Sequence, residues 1–280
     1  MYNKLISRTF LVFASAFLLA TASADCISDG LTKYANGDHR AEGNAARNES
    51  RKPVEVLKFF GLTPSMTVVE ISPGGSGWYT EILAPFLRDS GTLYLGSFDP
   101  AADSDYVKRN YKALSEKLAA HPEVYNQAQV RIFDPAGTMD AAPEGSADMV
   151  LTFRNTHGWA RRGQAEGAFA HMYKYLKPGG ILGLVQHRGD ESETYTGETG
   201  YLNQSDVIAM AEKAGFVLLD KSEMLANPRD TKNHPSGVWS LPPGLNLDDD
   251  SKHLESKMKA IGESDRMTLK FMRPVERSKT

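Results

Sequence analysis

The chain has 280 residues, a formal net charge of −3 and 41% hydrophobic residues. This balance fits a folded globular protein, most simply one domain, and removes the electrostatic case for a nucleic-acid partner. Cys26 is the only cysteine, which excludes an internal disulfide, so the core must hold the fold unaided.

Lys4 and Arg8 precede an apolar run from Phe10 to Ala20 that ends in Ala22-Ser23-Ala24. This is the pattern of a secretory signal peptide over residues 1–24, with cleavage expected after Ala24. The run is short and its flanks polar for a membrane span; an uncleaved anchor is the alternative. The expected protein is exported, periplasmic or secreted, with no stable membrane association once the signal is removed. Cys26 then reads as a free thiol near the new terminus, since Asp25 is not the small residue that lipid attachment would need.

Residues 25 to about 50 are polar with little periodicity, and read as a loose arm or cap. Apolar residues at 56, 57, 59 and 60, with Pro53 in the first turn and Gly61 as terminator, predict a helix beside a sheet. Thr67 to Ile71 is the first strand. The turn Ser72-Pro73-Gly74-Gly75-Ser76-Gly77 follows, then a helix from about Trp78 to Leu87 with Ile82, Leu83 and Phe86 on one face. Gly91 to Gly96 is the second strand, running into Asp99-Pro100. Val107, Tyr111, Leu114 and Leu118 give the next helix, Tyr106 to Ala120, one apolar stripe. Val130 to Asp134 is the third strand and Asp148 to Phe153 the fourth, opening into a polar loop, Arg154-Asn155-Thr156-His157-Gly158-Trp159.

A helix from Ala165 to Leu176 is stopped by Lys177-Pro178-Gly179-Gly180, and Ile181 to Gln186 is the fifth strand. Val207 to Ala214 is a helix, Gly215 to Asp220 the sixth strand, and Met267 to Phe271 the last, after a polar, proline-bearing excursion from Asn227 to Lys252. Alternating strands and helices predict a mostly parallel sheet covered on both faces. Ligands of such sheets bind beyond the carboxyl ends of the strands, the edge on which all of these loops fall.

An acid-bearing glycine turn after the first strand, Asp99 after the second, Asp134 after the third, a polar patch after the fourth and Leu176-Lys177-Pro178-Gly179-Gly180 before the fifth together resemble the class I S-adenosylmethionine (SAM) dependent methyltransferases. The resemblance implies an α/β, Rossmann-like class I methyltransferase sheet, mostly parallel with an antiparallel last strand and helices on both faces. More narrowly, Pro73-Gly74-Gly75 leading to Trp78 through Pro85, Gly237 through Pro243 and Gly262 through Leu269 are similar to an exported group of predicted methyltransferases. The implied division is a signal peptide at 1–24, an N-terminal arm and helix at 25–62 and a methyltransferase-like domain at 63–280. One departure stands out: the family's E/D-x-G-x-G-x-G loop here begins at Glu70 with Ser72 and Ser76 in place of the first and third glycines.

The resemblance implies SAM as cofactor and a small-molecule acceptor, and it assigns candidate roles. Pro73, Gly74, Gly75 and Gly77 form the cofactor loop, and Asn155 belongs to the same set. Asp99 is placed for the ribose hydroxyls, against a plain turn before Pro100. Glu70 is placed for the loop or the cofactor's ammonium, against an ordinary loop-stabilising carboxylate. Asp134 is placed for the adenine amino group, against turn initiation with Pro135. Trp78 and Tyr79 are candidates for the cofactor pocket, with core packing as the alternative. Arg154 and Trp159 fall where acceptors are held. His157, whose unperturbed pKa is about 6.5, suits proton removal from the acceptor, and His187 ends the fifth strand on the same edge. No metal is expected, because the histidines form no pair at helical ligand spacing.

Two other readings compete. A non-catalytic exported binding protein would explain a methyltransferase fold placed where cytoplasmic SAM is scarce. A nicotinamide-dependent oxidoreductase shares the strand, glycine loop and later acid, but this loop lacks the full G-x-G-x-x-G order.

Overall fold

The computed structural model describes residues 25–275, so the signal-peptide expectation lies outside the described residues. The stretch expected as a loose arm begins with a helix, α1, at 25–35. Its Leu31 and Ala35 are buried against the sheet's helical cover, apolar positions four apart on one helical face. α2 (Asn48–Arg51) and α3 (Pro53–Phe60) follow; Pro53 opens α3, and Gly61 closes it at a φ of +87°, a left-handed cap that glycine adopts without a Cβ penalty.

Then come β1 (Thr67–Ile71), α4 (Thr80–Leu87), β2 (Thr92–Ser97), α5 (Asp105–Ala120), α6 (Pro122–Tyr125), β3 (Gln129–Phe133), β4 (Met139–Asp140) and β5 (Ala147–Phe153). The second half comprises α7 (Thr156–Arg161), α8 (Ala165–Tyr175), β6 (Leu176–His187), α9 (Gln204–Lys213), β7 (Val217–Ser222), α10 (Glu255–Ile261) and β8 (Arg266–Met272). Among the described residues, eight strands lie in the order β4-β3-β2-β1-β5-β6-β8-β7. The β2, β1, β5 and β6 pairings are parallel, and β8 runs antiparallel between β6 and β7.

Side chains alternate across the central strands and feed two cores. Val69, Ile71, Val150 and Leu184 face the side covered by α8 and α9, where Phe169, Met172 and Val207 are buried. Val68, Met149 and Leu151 face α1, α3 and α4 through Leu57, Phe60, Ile82 and Leu83.

The structure adds three details. The L-K-P-G-G turn lies inside β6: Leu176 pairs with Ala147 and Ile181 with Met149, so residues 177–180 bulge out. Gly179 there has a φ of +84° and donates its N–H to the Arg273 carbonyl at 2.7 Å. The excursion after Asn227 is ordered around buried Asp230, which accepts hydrogen bonds from Tyr201 at 2.9 Å and from the Asp265 N–H at 2.8 Å, and pairs with His234 at 2.8 Å. Asp265 and Arg266 are adjacent but do not pair with each other. Instead Asp265 binds Arg188 at 3.0 Å and Arg266 binds Glu263, because successive side chains on an extended segment point to opposite sides. Among the described residues, no helix is long and apolar enough to cross a membrane.

Candidate active site

The carboxyl ends of β1, β2, β5 and β6 open onto a cleft of about 620 Å³. Its first wall is the β1–α4 turn, from Ser72 to Ser76. Ser72 holds a φ of +51° and donates its N–H to the Gly96 carbonyl at 2.8 Å. Gly74, at a φ of +69°, has nothing within 4 Å of where a Cβ would stand, while the Gly75 N–H is bound to Asn110 Oδ1 at 3.0 Å. The turn is therefore pinned at both flanks and open at its centre. Gly77, at a φ of +53°, turns the chain into α4 behind the cleft lining.

Glu70 lies beneath this turn, buried, and accepts a hydrogen bond from Thr80 Oγ1 at 2.6 Å. Burial pushes its carboxyl up to about 7, against the lowering effect of Thr80 and Lys117. Asn155 Nδ2 donates to the carbonyls of Ile71 at 3.0 Å and Ser72 at 3.3 Å, tying the end of β5 to the end of β1. Arg154 holds a φ of +64°, and its backbone N–H donates to the Val185 carbonyl at 2.7 Å while its side chain lines the cleft.

The segment expected as a polar loop after β5 is largely helical, as α7, and it brings His157 and Trp159 to the cleft. Trp159 packs on Phe133 at a ring separation of 5.8 Å. His157 sits 5.7 Å from the His187 ring and 5.8 Å from Trp239, with Nδ1 3.4 Å from Gln186 Oε1. Burial, reinforced by Arg154 and Arg161 and opposed by Gln186, pushes His157 down to about 4. Burial and the Arg266 and Arg154 charges hold His187 well below its usual range, and its Nδ1 lies 2.5 Å from Ser264 Oγ. Both rings are neutral at neutral pH, so His157 is a much weaker base than its free side chain.

Besides Glu70, four candidate side chains lie outside the cleft lining. Asp99 accepts from the Ala101 N–H at 2.8 Å and Asp134 from the Ala136 N–H at 2.9 Å, each closing its own turn. Trp78 donates its indole N–H to the Asn44 carbonyl at 3.2 Å, with the Arg40 and Arg51 guanidinium groups 4.4 and 4.7 Å from its ring. Tyr79 stacks on Phe153 at 3.5 Å. Phe98 and Tyr106, with rings 5.9 Å apart, line the cleft beside Asn110 instead. Arg161, Arg162 and Trp239 also line it and carried no assigned role in the sequence; the adjacency of the two arginines to the patch after β5 was the available signal. No cluster of histidine, cysteine, aspartate or glutamate suited to a metal occurs among the described residues.

A parallel sheet with this strand order, its antiparallel β8 and a ligand-sized cleft at the carboxyl edge define a Rossmann-like fold of the class I methyltransferase type. Among solved structures, the chain is similar to a SAM-dependent methyltransferase from Aquifex aeolicus, at a TM-score of 0.54 and 15% identity over 81% of this chain and 93% of that one. It is also similar to the [4+2]-cyclase SpnF, at a TM-score of 0.57 and 15% identity over 86% of each chain. A third similar structure is geranyl diphosphate C-methyltransferase from Streptomyces coelicolor A3(2), at 0.55 and 11% over 86% of this chain and 87% of that one. No protein-family model and no curated protein sequence matches the chain.

Proposed function

We propose that this protein is a SAM-dependent methyltransferase acting on a small-molecule acceptor. The observation that carries the reading is the open glycine turn at Gly74, forming one wall of a cleft whose volume, about 620 Å³, falls within the range of small-molecule sites. The residues fit the cofactor: the Ser72–Ser76 turn would hold its amino-acid end, with Phe98, Tyr106 and Asn110 along the same wall. When bound, SAM supplies an activated methyl group on a sulfonium.

The rest is positioning, which is where an in-line methyl transfer gains most. Asn155 keeps the ends of β1 and β5 in register. His157 and His187, held neutral, accept or donate hydrogen bonds to the acceptor's hydroxyl or amine and orient it, with Trp159 and Trp239 closing the cleft around them. The low basicity of His157 favours orientation over strong general-base catalysis. The fold by itself does not decide the reaction, and one similar structure is named as a cyclase, so binding is the first test.

Calorimetry with S-adenosylhomocysteine is expected to show binding to the wild type and its loss in Gly74→Phe, whose side chain fills the open turn. Absence of binding heat at millimolar ligand overturns the reading. We also propose that residues 1–24 direct export, in keeping with the similarity to an exported group, so that the mature chain opens with the 25–62 arm ahead of the 63–280 methyltransferase-like part. Amino-terminal sequencing of the exported protein is expected to begin at Asp25, and a start at Met1 overturns it.

A further inference from the structure

The cleft lining carries an excess of positive charge. Arg154, Arg161 and Arg162 line it, with no aspartate or glutamate among the lining residues. Arg161 faces Glu198 at 3.5 Å, and Arg162 Nε donates to Gln164 at 2.8 Å. Arg154 receives a longer-range attraction, chiefly from Glu263, and no carboxylate hydrogen bond among the described residues.

Around Arg154 the imbalance deepens. Arg47, Arg51 and Arg266 all converge on the single carboxylate of Glu263. The convergence leaves Arg47 Nη2, Arg51 Nη2 and Arg266 Nε buried with no acceptor among the described residues, although Arg51 and Arg266 are each only 3% exposed. Arg51, Arg154 and Arg266 share one small cavity, and Arg51 and Arg154 share a second of about 30 Å³. Arg154 and Phe153 wall both cavities and the main cleft. Burial first, then mutual repulsion, pushes Arg51 down to about 8 and Arg154 to about 10. Glu70 is the acid that lines the second cavity, and it is occupied by Thr80 and raised by burial.

Buried charge is tolerated when it is paired, and here the guanidinium groups outnumber the carboxylates that could pair them. A guanidinium presents a planar fork of donors matched to a carboxylate or a phosphate. We propose that this arginine cluster binds the anionic group of the acceptor, a carboxylate or phosphate, with Arg154 making direct contact and Arg51 and Arg266 behind it. This rests on the methyltransferase reading and names the substrate class of the same site.

The test is thermal unfolding of the full chain with inorganic phosphate, against chloride at matched ionic strength, with and without saturating S-adenosylhomocysteine. Phosphate is expected to raise the wild-type Tm whether or not S-adenosylhomocysteine is bound. Arg154→Gln is expected to weaken phosphate about tenfold and Arg154→Lys less. Without phosphate, Arg154→Gln should unfold at a higher temperature than the wild type, because it relieves repulsion, whereas loss of a purely structural arginine lowers Tm. No phosphate shift, or an unchanged shift in Arg154→Gln, overturns the proposal. A phosphate shift abolished by S-adenosylhomocysteine assigns the arginines to the cofactor's own carboxylate and also overturns it. A phosphate shift with no response to S-adenosylhomocysteine overturns the methyltransferase reading while leaving the anion site standing.

Discussion

Ser72 is held in the left-handed backbone region, at a φ of +51°, where an L-residue crowds its own carbonyl and glycine does not. It stands where the loop of the class I methyltransferases that the sequence resembles has its first glycine, so the unusual residue in the sequence coincides with a strained position in the fold. Ser72→Gly is expected to stabilise the protein by about 0.5–1 kcal/mol in urea unfolding, the relieved strain exceeding the added chain entropy; a loss of stability would show that the serine side chain compensates. Glu70 shows the opposite relation between residue and context. Its place at a strand end was legible, but its raised pKa comes from burial under α4 beside Thr80. Its folded value of about 7 lies above the usual 4.5, so its contribution to stability is complete below that usual value and is lost as pH rises through neutrality.

The contact between α3 and β6 shows how one small residue sets an element's position. A Cβ on Gly183 would stand 2.6 Å from the Phe60 ring and 2.7 Å from Leu151, and both side chains are buried. Gly183→Ala is expected to cost about 1–3 kcal/mol in urea unfolding, the range for overpacking a full core; a neutral result would mean that α3 shifts freely. The principal strands were readable because each is a short apolar run bounded by turn residues. Several short or peripheral elements were not, α1, α6 and α10 among them, and β4 and α7 show why. β4 is two residues long, too short to show alternation, and α7 opens with Thr156-His157-Gly158, residues of weak helix propensity. What holds α7 is tertiary: Thr156 and Trp159 are buried.

Across the whole molecule, the buried carboxylates and histidines set the response to acid. Burial opposes ionisation of Glu263, but Arg266, Arg51 and Arg47 outweigh it and hold the carboxyl well below its usual range. Burial likewise opposes Asp265, outweighed by Arg188 and the Asn227 N–H. Depressed carboxyls contribute stability that is full above their unfolded pKa and is lost as pH falls through the folded value. His157 and His187 add a loss that begins below 6.5, since protonation must displace a ring held neutral. Against the opposing gain from Glu70 between about 7 and 4.5, urea unfolding is therefore expected to show a shallow decline in stability below 6.5 and a steeper one below 4.5. Glu263→Gln should flatten the steeper limb while costing about 3–5 kcal/mol at neutral pH, because it strands buried arginines. A full steep limb in that variant would place the acid response elsewhere.

By itself the sequence determined the alternation of strands and helices, the glycine turn after the first strand and the edge on which the cleft opens. These follow from apolar period and turn chemistry, which are local. Only the tertiary structure decided the cleft's charge. Arg51, Arg154 and Arg266 are distant in sequence and meet because β8 pairs with β6, setting Arg266 opposite His187, while α2 carries Arg51 to Glu263, the carboxylate that Arg266 also binds. Asp99 and Asp134, the acids the pattern singled out, close their own turns. A side chain's partner depends on what topology brings within a few ångströms, which local periodicity does not encode.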